Sequence, residues 1–142
     1  MNKKTRSLKA SIAALALAAT SLVVAAPIAN AGTGACPLGA SCMWSESNYN
    51  GRYGYNTDHS SPVIAYMNNQ ASSIAANGRS CHFTQFFDWR DGNDGSYILL
   101  RSQYLEGFNF RDPLLSNGAG EGPFRDQNWD NRISRVTYAD CR

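Results

Sequence analysis

The chain has 142 residues and a formal net charge of +2. All three lysines and Arg6 lie within the first nine residues, so the remainder carries nine arginines against 11 acidic residues. This remainder is acidic overall, which excludes a basic nucleic-acid binder and disfavours attraction to an anionic membrane surface. It also lacks lysine, which excludes Schiff-base chemistry.

The first predicted element is a secretory signal peptide at residues 1–31. Its basic residues precede an apolar run from Ile12 to Pro27, and Ala29-Asn30-Ala31 follows as a small-x-small cleavage site. The part from Ile12 to Ala26 has about 15 residues, fewer than the roughly 20 that span a bilayer. We therefore expect a secreted, extracellular protein with one domain at residues 32–142.

The four cysteines all lie in that domain, at positions 36, 42, 81 and 141. An even count in a small secreted domain predicts two disulfides, and four cysteines allow three connectivities. We favour Cys36–Cys42, which closes a short loop with turn-forming Pro37 and Gly39, and Cys81–Cys141, which ties the middle of the chain to its end. A zinc site is not expected, because no CxxC pair occurs.

Short runs of aromatic and β-branched residues, separated by clusters of Gly, Asn, Asp and Ser, follow along the domain. No sustained 3.6-residue period accompanies them, so the pattern predicts an all-β sandwich or barrel. The candidate strands are Ser41–Glu46, Gly51–Asn56, Ser73–Ala76, Cys81–Trp89, Ser96–Arg101 and Ser134–Tyr138. Asp91–Gly95 predicts a hairpin turn, and Glu106–Asp126 predicts one long irregular loop, either functional or disordered.

Two polar segments form a weak internal repeat. Asn68–Ile74 and Asp130–Val136 each begin with two amide or acid residues, continue with two variable residues and a serine, and end on a β-branched residue. The copies lie 62 residues apart, about half of the domain. This spacing predicts two structural copies within one domain.

Two signatures resemble those of the βγ-crystallin superfamily. Trp44-x4-Tyr49-x-Gly51 matches its folded-hairpin signature, aromatic-x4-aromatic-x-Gly, and Asn68–Ser73 matches its calcium signature, Asn/Asp-Asn/Asp-x-x-Ser/Thr-Ser. The resemblance implies an all-β, double-sheet domain of two Greek-key motifs, with boundaries near residues 36–78 and 79–142.

A narrower resemblance involves the N-terminal part of the domain. The signal peptide followed by Ala35-Cys36-Pro37-x-Gly39-x-x-Cys42-x-Trp44 is similar to small secreted bacterial metalloproteinase inhibitors of crystallin fold. This resemblance implies a secreted, non-catalytic protein whose partner is a thermolysin-like zinc protease.

The crystallin resemblance also implies calcium. The implied ligands are Asn68, Asn69, Gln70, Ser72 and Ser73, with the hairpin Asp88–Asp94 facing them. Neutral amide and hydroxyl oxygens predict the modest affinity of extracellular calcium sites. The second copy implies a weaker metal site at Asp130, Asn131, Arg132 and Ser134, because Arg135 replaces the last serine and repels a cation. In the alternative interpretation, these side chains only hydrogen-bond the turn backbone.

The long loop is the first candidate for the inhibitory segment. Thermolysin-type proteases prefer a bulky apolar residue directly after the cleaved bond, and Leu114 or Leu115 offers one, with Pro113 before them stiffening the chain. A rigid, substrate-like strand at this place would bind with a low ordering cost. Ser61–Ile64 is a second candidate, and in the alternative interpretation both leucines pack into the core.

Two other functions stay open, namely a calcium-binding crystallin-type protein without inhibitory activity and a crystallin-fold antimicrobial or killer toxin. An enzyme is not expected, because Asp58, His59 and Ser60 are neighbours on one extended segment and cannot converge as a triad. The three tryptophans, Trp44, Trp89 and Trp129, are expected in the core or at its corners. We expect a monomer.

Overall fold

The computed structural model describes residues 34–57, 61–89 and 95–142. The predicted signal peptide, Asp58–Ser60 and most of the predicted 91–95 turn lie outside these residues. The described strands are β1 (Ala40–Glu46), β2 (Asn50–Thr57), β3 (Ser61–Pro62), β4 (Ser73–Asn77), β5 (Cys81–Phe87), β6 (Tyr97–Arg101), β7 (Arg111–Asp112) and β8 (Arg135–Cys141). Two 3-10 helices, Ser47–Tyr49 and Ala65–Met67, accompany them. Among the described residues, no helix is long and apolar enough to cross a membrane.

The strands form two four-stranded antiparallel sheets that exchange one strand each. The strand order is β2-β1-β4-β7 in the first sheet and β3-β8-β5-β6 in the second. The third strand of the first half, β3, therefore pairs with β8 of the second half, and β7 pairs with β4 in return. Each half is a Greek key that completes the sheet of the other half.

Six of the strands coincide with strands predicted from the sequence, with ends that differ by up to three residues. The exchanged strands, β3 and β7, were not predicted. Each has only two residues, Ser61–Pro62 and Arg111–Asp112, too few to show an alternating pattern. β7 lies inside the segment predicted as one irregular loop, because its pairing with β4 is visible only in three dimensions.

The main apolar core lies between the two sheets. Strands supply half of its buried members, namely Met43, Ile74, Ala76, Phe86, Ile98, Leu100 and Val136. The segments between strands supply the other half, namely Val63, Met67, Ala71, Leu115, Ala119, Trp129 and Ile133. Burial of these side chains therefore fixes the course of the loops as well as the strands.

A second apolar cluster lies on the outer side of β1. Since Met43 faces the main core, its neighbours Cys42 and Trp44 face the opposite side of the sheet. The cluster consists of Cys36, Ala40, Cys42, Trp44, Tyr49 and Ala75. The segment before β1 thus covers the outer face of the first sheet.

The three tryptophans do not share one environment. Trp44 and Trp129 are buried, as the sequence predicts, with 1% and 0% of their surface exposed. Trp89 is 59% exposed, which corrects the prediction that it is a core or corner residue. It lies beyond the last paired residue of β5, so neither sheet covers its ring.

The aromatic-x4-aromatic-x-Gly signature forms a folded hairpin between β1 and β2. The Trp44 and Tyr49 rings meet edge to face, with centroids 5.2 Å apart. Asn48 and Tyr49 adopt left-handed φ angles of 57° and 61°, which turn the chain back over β1. Gly51 has φ +76°, and a Cβ at this position would lie 2.5 Å from the Ser45 Oγ. Both the φ angle and the lack of space therefore require glycine.

Two disulfides join Cys36 to Cys42 and Cys81 to Cys141, the pairing that the sequence favours. The first connects the segment before β1 to β1, and the second connects the start of β5 to the end of β8. The second spans 60 residues against six for the first. In the chain-entropy model, the longer loop contributes about 4 kcal/mol to stability and the shorter about 2 kcal/mol.

Candidate functional site

The segment Pro113-Leu114-Leu115 follows β7 and is held by hydrogen bonds on both sides. The Pro113 C=O accepts a hydrogen bond from the Asn48 N–H at 2.8 Å. The Leu115 N–H donates to the Ser72 C=O at 3.1 Å, and the Leu115 C=O accepts from the Trp129 N–H at 2.8 Å. Leu115 is fully buried in the main core, whereas Leu114 is 40% exposed. Leu115 is therefore an anchor of the loop, and only Leu114 offers its side chain to a partner.

Asp112 closes the loop around Leu114. One of its carboxylate oxygens accepts a hydrogen bond from the Leu114 N–H at 2.9 Å, and the other accepts from the Gly120 N–H at 3.3 Å. The Leu114 C=O accepts from the Asn117 N–H at 3.5 Å. Both main-chain groups of Leu114 are thus used within a turn, and the segment is not the extended, substrate-like strand expected from the sequence.

The second candidate segment, Ser61–Ile64, is part of the sheet. Ser61 and Pro62 form β3 and pair with β8. The Val63 N–H donates to the Ser134 C=O at 3.0 Å, and Val63 is 2% exposed. These contacts give the segment a structural role.

An exposed leucine also lies in the loop that the Cys36–Cys42 disulfide closes. Leu38 is 44% exposed at the tip of a turn in which the Ala40 N–H donates to the Pro37 C=O at 3.1 Å. Gly39 has φ +84°, the left-handed value that the third residue of a type II turn requires. The sequence pattern predicts this loop only as a turn. The signal that marks it is an apolar residue between Pro and Gly inside a short disulfide loop.

Ser72 and Ser73 of the predicted calcium loop face the first half's hairpin. Ser73 is fully buried, and its hydroxyl donates to the Glu46 C=O at 2.7 Å and accepts from the Tyr49 N–H at 3.0 Å. The Ser72 hydroxyl donates to the Ser45 C=O at 3.1 Å. Ser73 therefore holds the folded hairpin closed.

The other predicted ligands differ in how their oxygens are used. The Asn69 Oδ1 accepts from the Ser134 hydroxyl at 2.6 Å, and the Gln70 side-chain amide donates to the Asn69 C=O at 2.8 Å. The Asn68 Oδ1 is buried without a hydrogen-bond partner. In the described part of the chain, no three His, Cys, Asp or Glu side chains cluster as metal ligands. The side-chain oxygens that Asn68–Ser73 offers as metal ligands are neutral, which fits a weak calcium site and not a strong one.

The second copy of the motif contains Arg132, whose side chain binds several oxygens of the protein. The Arg132 guanidinium donates to the Asp88 Oδ2 at 2.8 and 3.2 Å, to the Gln127 Oε1 at 3.0 Å and to the Asn128 C=O at 2.9 Å. It lies over the Trp129 ring at 4.7 Å from the centroid. Asp88, expected to face Asn68–Ser73, thus pairs with Arg132.

The remaining members of this predicted second metal site also bond within the protein. The Asn131 side-chain amide donates to the Asp130 carboxylate at 3.1 Å, and the Ser134 hydroxyl is bonded to Asn69. A guanidinium offers no lone pair and repels a cation. The side chains assigned to this weaker metal site thus bond to other protein groups, and the Arg132 guanidinium itself binds oxygens of Asp88, Gln127 and Asn128.

The two copies of the repeat contact each other reciprocally. The Asn69 N–H donates to the Ile133 C=O at 2.9 Å, and its counterpart 62 residues later, the Asn131 N–H, donates to the Ala71 C=O at 2.9 Å. Ala71 and Ile133 are themselves counterparts and are both fully buried. The polar motif therefore joins the two halves through an approximate two-fold arrangement, whether or not a metal binds.

A charged cluster fastens the long loop to the outer face of the second sheet. Arg101 of β6 lies between the Phe83 and Phe108 rings, 4.9 and 4.8 Å from their centroids. It pairs with Glu121 at 2.7 Å and with Glu106 at 3.6 Å. The hydrogen bond from Arg101 holds the pKa of Glu121 below its ordinary value, although partial desolvation opposes this effect. His82 Nδ1 also contacts Glu106.

A comparison with protein-family models gives a match at residues 29–99, to peptidase inhibitor family I36. The match covers half of the chain, and it includes the disulfide-closed turn, the folded hairpin and the Asn68–Ser73 loop. The chain belongs to peptidase inhibitor family I36. Family membership identifies a non-catalytic protein whose partner is a peptidase, and it agrees with the inhibitor resemblance of the N-terminal segment.

Solved structures with a similar fold are βγ-crystallins. One, described as "Evolution of the eye lens beta-gamma-crystallin domain fold", is 18% identical over 76% of this chain and 93% of that chain, with a TM-score of 0.52. A βγ-crystallin from Ciona intestinalis is 18% identical over 70% and 99% of the two chains, with a TM-score of 0.48. No curated protein matches the chain. The first similarity confirms the predicted all-β, two-Greek-key fold.

Proposed function

We propose that this I36 family member is a secreted inhibitor of thermolysin-like zinc peptidases. The family supplies the general function, and one observation supports the target class. The chain exposes leucines, Leu38 at 44% and Leu114 at 40%, on short segments that a disulfide or hydrogen bonds hold in place. Thermolysin-like peptidases prefer a bulky apolar residue after the cleaved bond, and a constrained leucine supplies it with little ordering cost.

The proposal includes an extracellular place of action. Two disulfides are typical of proteins that work in oxidising surroundings. Residues 1–31 have the sequence pattern of a signal peptide, although they lie outside the described residues. We propose that the protein is exported, cleaved after Ala31 and active as a monomer.

The experiment is an inhibition assay of thermolysin with the secreted, disulfide-intact protein. Serine and cysteine peptidases run alongside, and the calcium concentration is held constant because thermolysin itself needs calcium. The expected result is stoichiometric inhibition of the zinc enzyme alone. Absence of inhibition at micromolar concentration would contradict the proposed target class, and inhibition of a serine or cysteine peptidase instead would reassign it.

A second proposal is that the Asn68–Ser73 loop binds calcium weakly. The supporting observation is the buried Asn68 Oδ1 without a hydrogen-bond partner, since such an oxygen is usually satisfied by a protein group, water or an ion. Asn68, Ser72 and main-chain carbonyls would hold the ion, beside Ser73, whose hydroxyl also holds the folded hairpin. Calcium bound only to the folded form would raise its stability by about 2.7 kcal/mol at 100-fold saturation.

Thermal unfolding in millimolar calcium and in chelator tests this second proposal. Calcium should raise the melting temperature of the wild type, and Asn68→Ala should abolish the rise. Gln70→Ala is the matched control, because it keeps the main-chain carbonyl and should keep the rise. An equal rise in Asn68→Ala, or no rise in the wild type, would contradict calcium binding at this loop.

A further inference from the structure

The edge strands of the two sheets differ in how well their main chains are covered. β3 and β7 have only two residues each. β6 is covered, because Leu99 donates to the Glu121 C=O at 2.9 Å and accepts from the Glu121 N–H at 2.8 Å. β2 has eight residues, without lysine or proline, and lies at the edge of the first sheet. Proteins usually shorten or cover such edges, because open main-chain groups pair with other chains. Among the described strands, β2 is the long edge left open.

The main chain of Tyr55 points to this open edge. The main-chain groups of successive residues in a sheet point alternately to the two neighbouring strands. The Ala76 N–H donates to the Phe110 C=O, next to β7. Its neighbour Ala75 therefore faces β1, where it pairs with Cys42. Since Cys42 faces β4, its partner on β2, Tyr55, faces away from β1. Among the described residues, no group bonds to the Tyr55 N–H or C=O.

The Tyr55 side chain is exposed and yet held in place. It is 49% exposed, and its ring stacks on the Tyr53 ring with centroids 6.0 Å apart. The Tyr53 ring in turn contacts the buried Trp44 ring at 5.4 Å, and its hydroxyl lies 3.4 Å from the Cys42 Sγ. A held tyrosine gives a partner a large contact area at a low conformational-entropy cost. Position 55 therefore offers a ring, a donor and an acceptor together.

The open stretch is short, because Tyr66 closes the edge on one side of Tyr55. The Tyr66 hydroxyl donates to the Tyr53 C=O at 3.0 Å. Tyr53 points in the same direction as Tyr55, so this hydroxyl lies on the edge two residues away. A second copy of the chain, paired symmetrically about Tyr55, would need the Tyr53 C=O for its own bonds. The open stretch therefore fits a short extended segment of a different protein better than a second copy.

The open stretch lies at the end of the first sheet that carries the disulfide-closed turn. This turn leads into β1 at Ala40, and Ala40 pairs with Thr57, two residues beyond Tyr55. Cys42, which closes the turn through its disulfide, is the direct partner of Tyr55. A peptidase in contact with the exposed Leu38 would therefore lie beside the open edge.

We propose that the open edge at Tyr55 is a second contact surface of the inhibitor, where an extended segment of the peptidase pairs through its main chain. This inference rests on the proposed inhibition of thermolysin-like peptidases. The Tyr55 N–H donates to a carbonyl of that segment and the Tyr55 C=O accepts from one of its amides. These bonds give affinity, and the Tyr55 ring contacts a neighbouring side chain of the segment.

The first test compares the inhibition constants of the wild type, Tyr55→Ala, Tyr55→Pro and Tyr104→Ala for thermolysin. Tyr55→Ala removes the ring and keeps both main-chain groups, so it should weaken inhibition moderately. Tyr55→Pro also removes the N–H, which makes no bond to β1, and an edge strand tolerates this change. It should be weaker than Tyr55→Ala by about 5- to 100-fold, because a carbonyl of the peptidase loses its donor. Tyr104→Ala removes a tyrosine that is 62% exposed in the loop after β6, and it should equal the wild type.

Hydrogen exchange of single amides, followed by NMR, is a second test and needs no variant. In the free protein, the Tyr55 amide should exchange fast, whereas the amide of its neighbour Gly54, which faces β1, should exchange slowly. Binding of thermolysin should slow the Tyr55 amide by about tenfold or more. An unchanged Tyr55 rate in an inhibited complex would overturn the inference.

The outcomes separate this inference from the proposed function. A wild type that inhibits, with Tyr55→Pro as potent as Tyr55→Ala, would overturn the inference and leave the proposed function standing. A Tyr55 amide that slows with protein concentration in the absence of peptidase would assign the edge to a second copy and also overturn it. A wild type that does not inhibit would overturn both. Melting temperatures of the variants confirm that each is folded.

Discussion

Gly51 and Gly107 adopt nearly the same left-handed φ, +76° and +74°, in very different surroundings. A Cβ on Gly51 would lie 2.5 Å from the Ser45 Oγ, which accepts the Arg52 N–H at 2.8 Å. A Cβ on Gly107 would meet nothing within 4 Å. Alanine substitutions at these two positions therefore separate the cost of backbone strain from the cost of steric crowding.

We expect Gly107→Ala to lower the free energy of unfolding by about 1–2 kcal/mol, the strain of a left-handed alanine. Gly51→Ala should lower it by roughly 1–3 kcal/mol more, because crowding of the folded hairpin adds to the same strain. Denaturant unfolding of both variants measures the difference. Equal losses would show that the hairpin relaxes around a Cβ without cost.

At the level of elements, the last strand depends on a long-range covalent link. β8 pairs with β5 along most of its length, and the Cys81–Cys141 disulfide joins their ends. The Cys36–Cys42 disulfide instead closes a loop of a single turn beside β1. The two bridges therefore restrict the unfolded chain to different extents.

Replacing Cys81 and Cys141 by alanine should lower the free energy of unfolding by about 4 kcal/mol, and replacing Cys36 and Cys42 by about 2 kcal/mol. The reason is that the longer loop restricts the unfolded chain more. Denaturant unfolding of the two double variants provides the comparison. The reverse order would mean that packing around Cys36 and Cys42 outweighs loop entropy.

The ion pair of Glu121 with Arg101 joins the long loop to β6. Because the hydrogen bond from Arg101 lowers the pKa of Glu121 in the folded protein, the pair stabilises the fold fully above the ordinary pKa of glutamate, about 4.3. This stabilisation is lost as the pH falls through the lowered value.

Glu121→Gln should therefore lower stability at neutral pH and make the decline of stability below about pH 4 less steep. Melting temperatures between pH 7 and pH 2 measure both effects. Asp126→Asn is the control, because the Asp126 side chain is 91% exposed beside Arg125 and should leave the profile unchanged. A Glu121→Gln profile parallel to that of the wild type would show that the pair does not control acid unfolding.

The whole molecule is one unit because its halves exchange strands and share one core. Each sheet contains a two-residue strand from the other half, and the reciprocal bonds of Asn69 and Asn131 join the halves at their polar motifs. Each half also keeps its own disulfide. The contribution of the disulfides to stability and that of the interface between the halves can therefore be tested separately.

We expect that residues 32–79 and 80–142, produced separately with their disulfides formed, do not fold alone. Each would expose its side of the core and lose one edge strand. Circular dichroism on heating should show no cooperative transition for either half, in contrast to the full domain. A cooperative transition in one half would show that its Greek key is independently stable.

Local patterns in the sequence predicted much of this architecture. Six strands carry apolar or aromatic runs that are readable along the chain, and the Trp44–Gly51 signature depends on contacts between near neighbours. The disulfide pairing followed from loop lengths and turn residues. The internal repeat predicted two copies, and the structure brings Asn69 and Asn131 into equivalent, reciprocal bonds.

Only the tertiary structure decided which polar and apolar side chains remain available to a partner. Ser73 matches a calcium signature, but its buried hydroxyl is bonded to Glu46 and Tyr49, and the Arg132 side chain pairs with Asp88, which was expected to face the calcium loop. Leu114 and Leu115 are adjacent, yet one is an anchor and the other is exposed. The physical reason is that hydrogen bonds and burial come from residues distant in sequence, which no local pattern records.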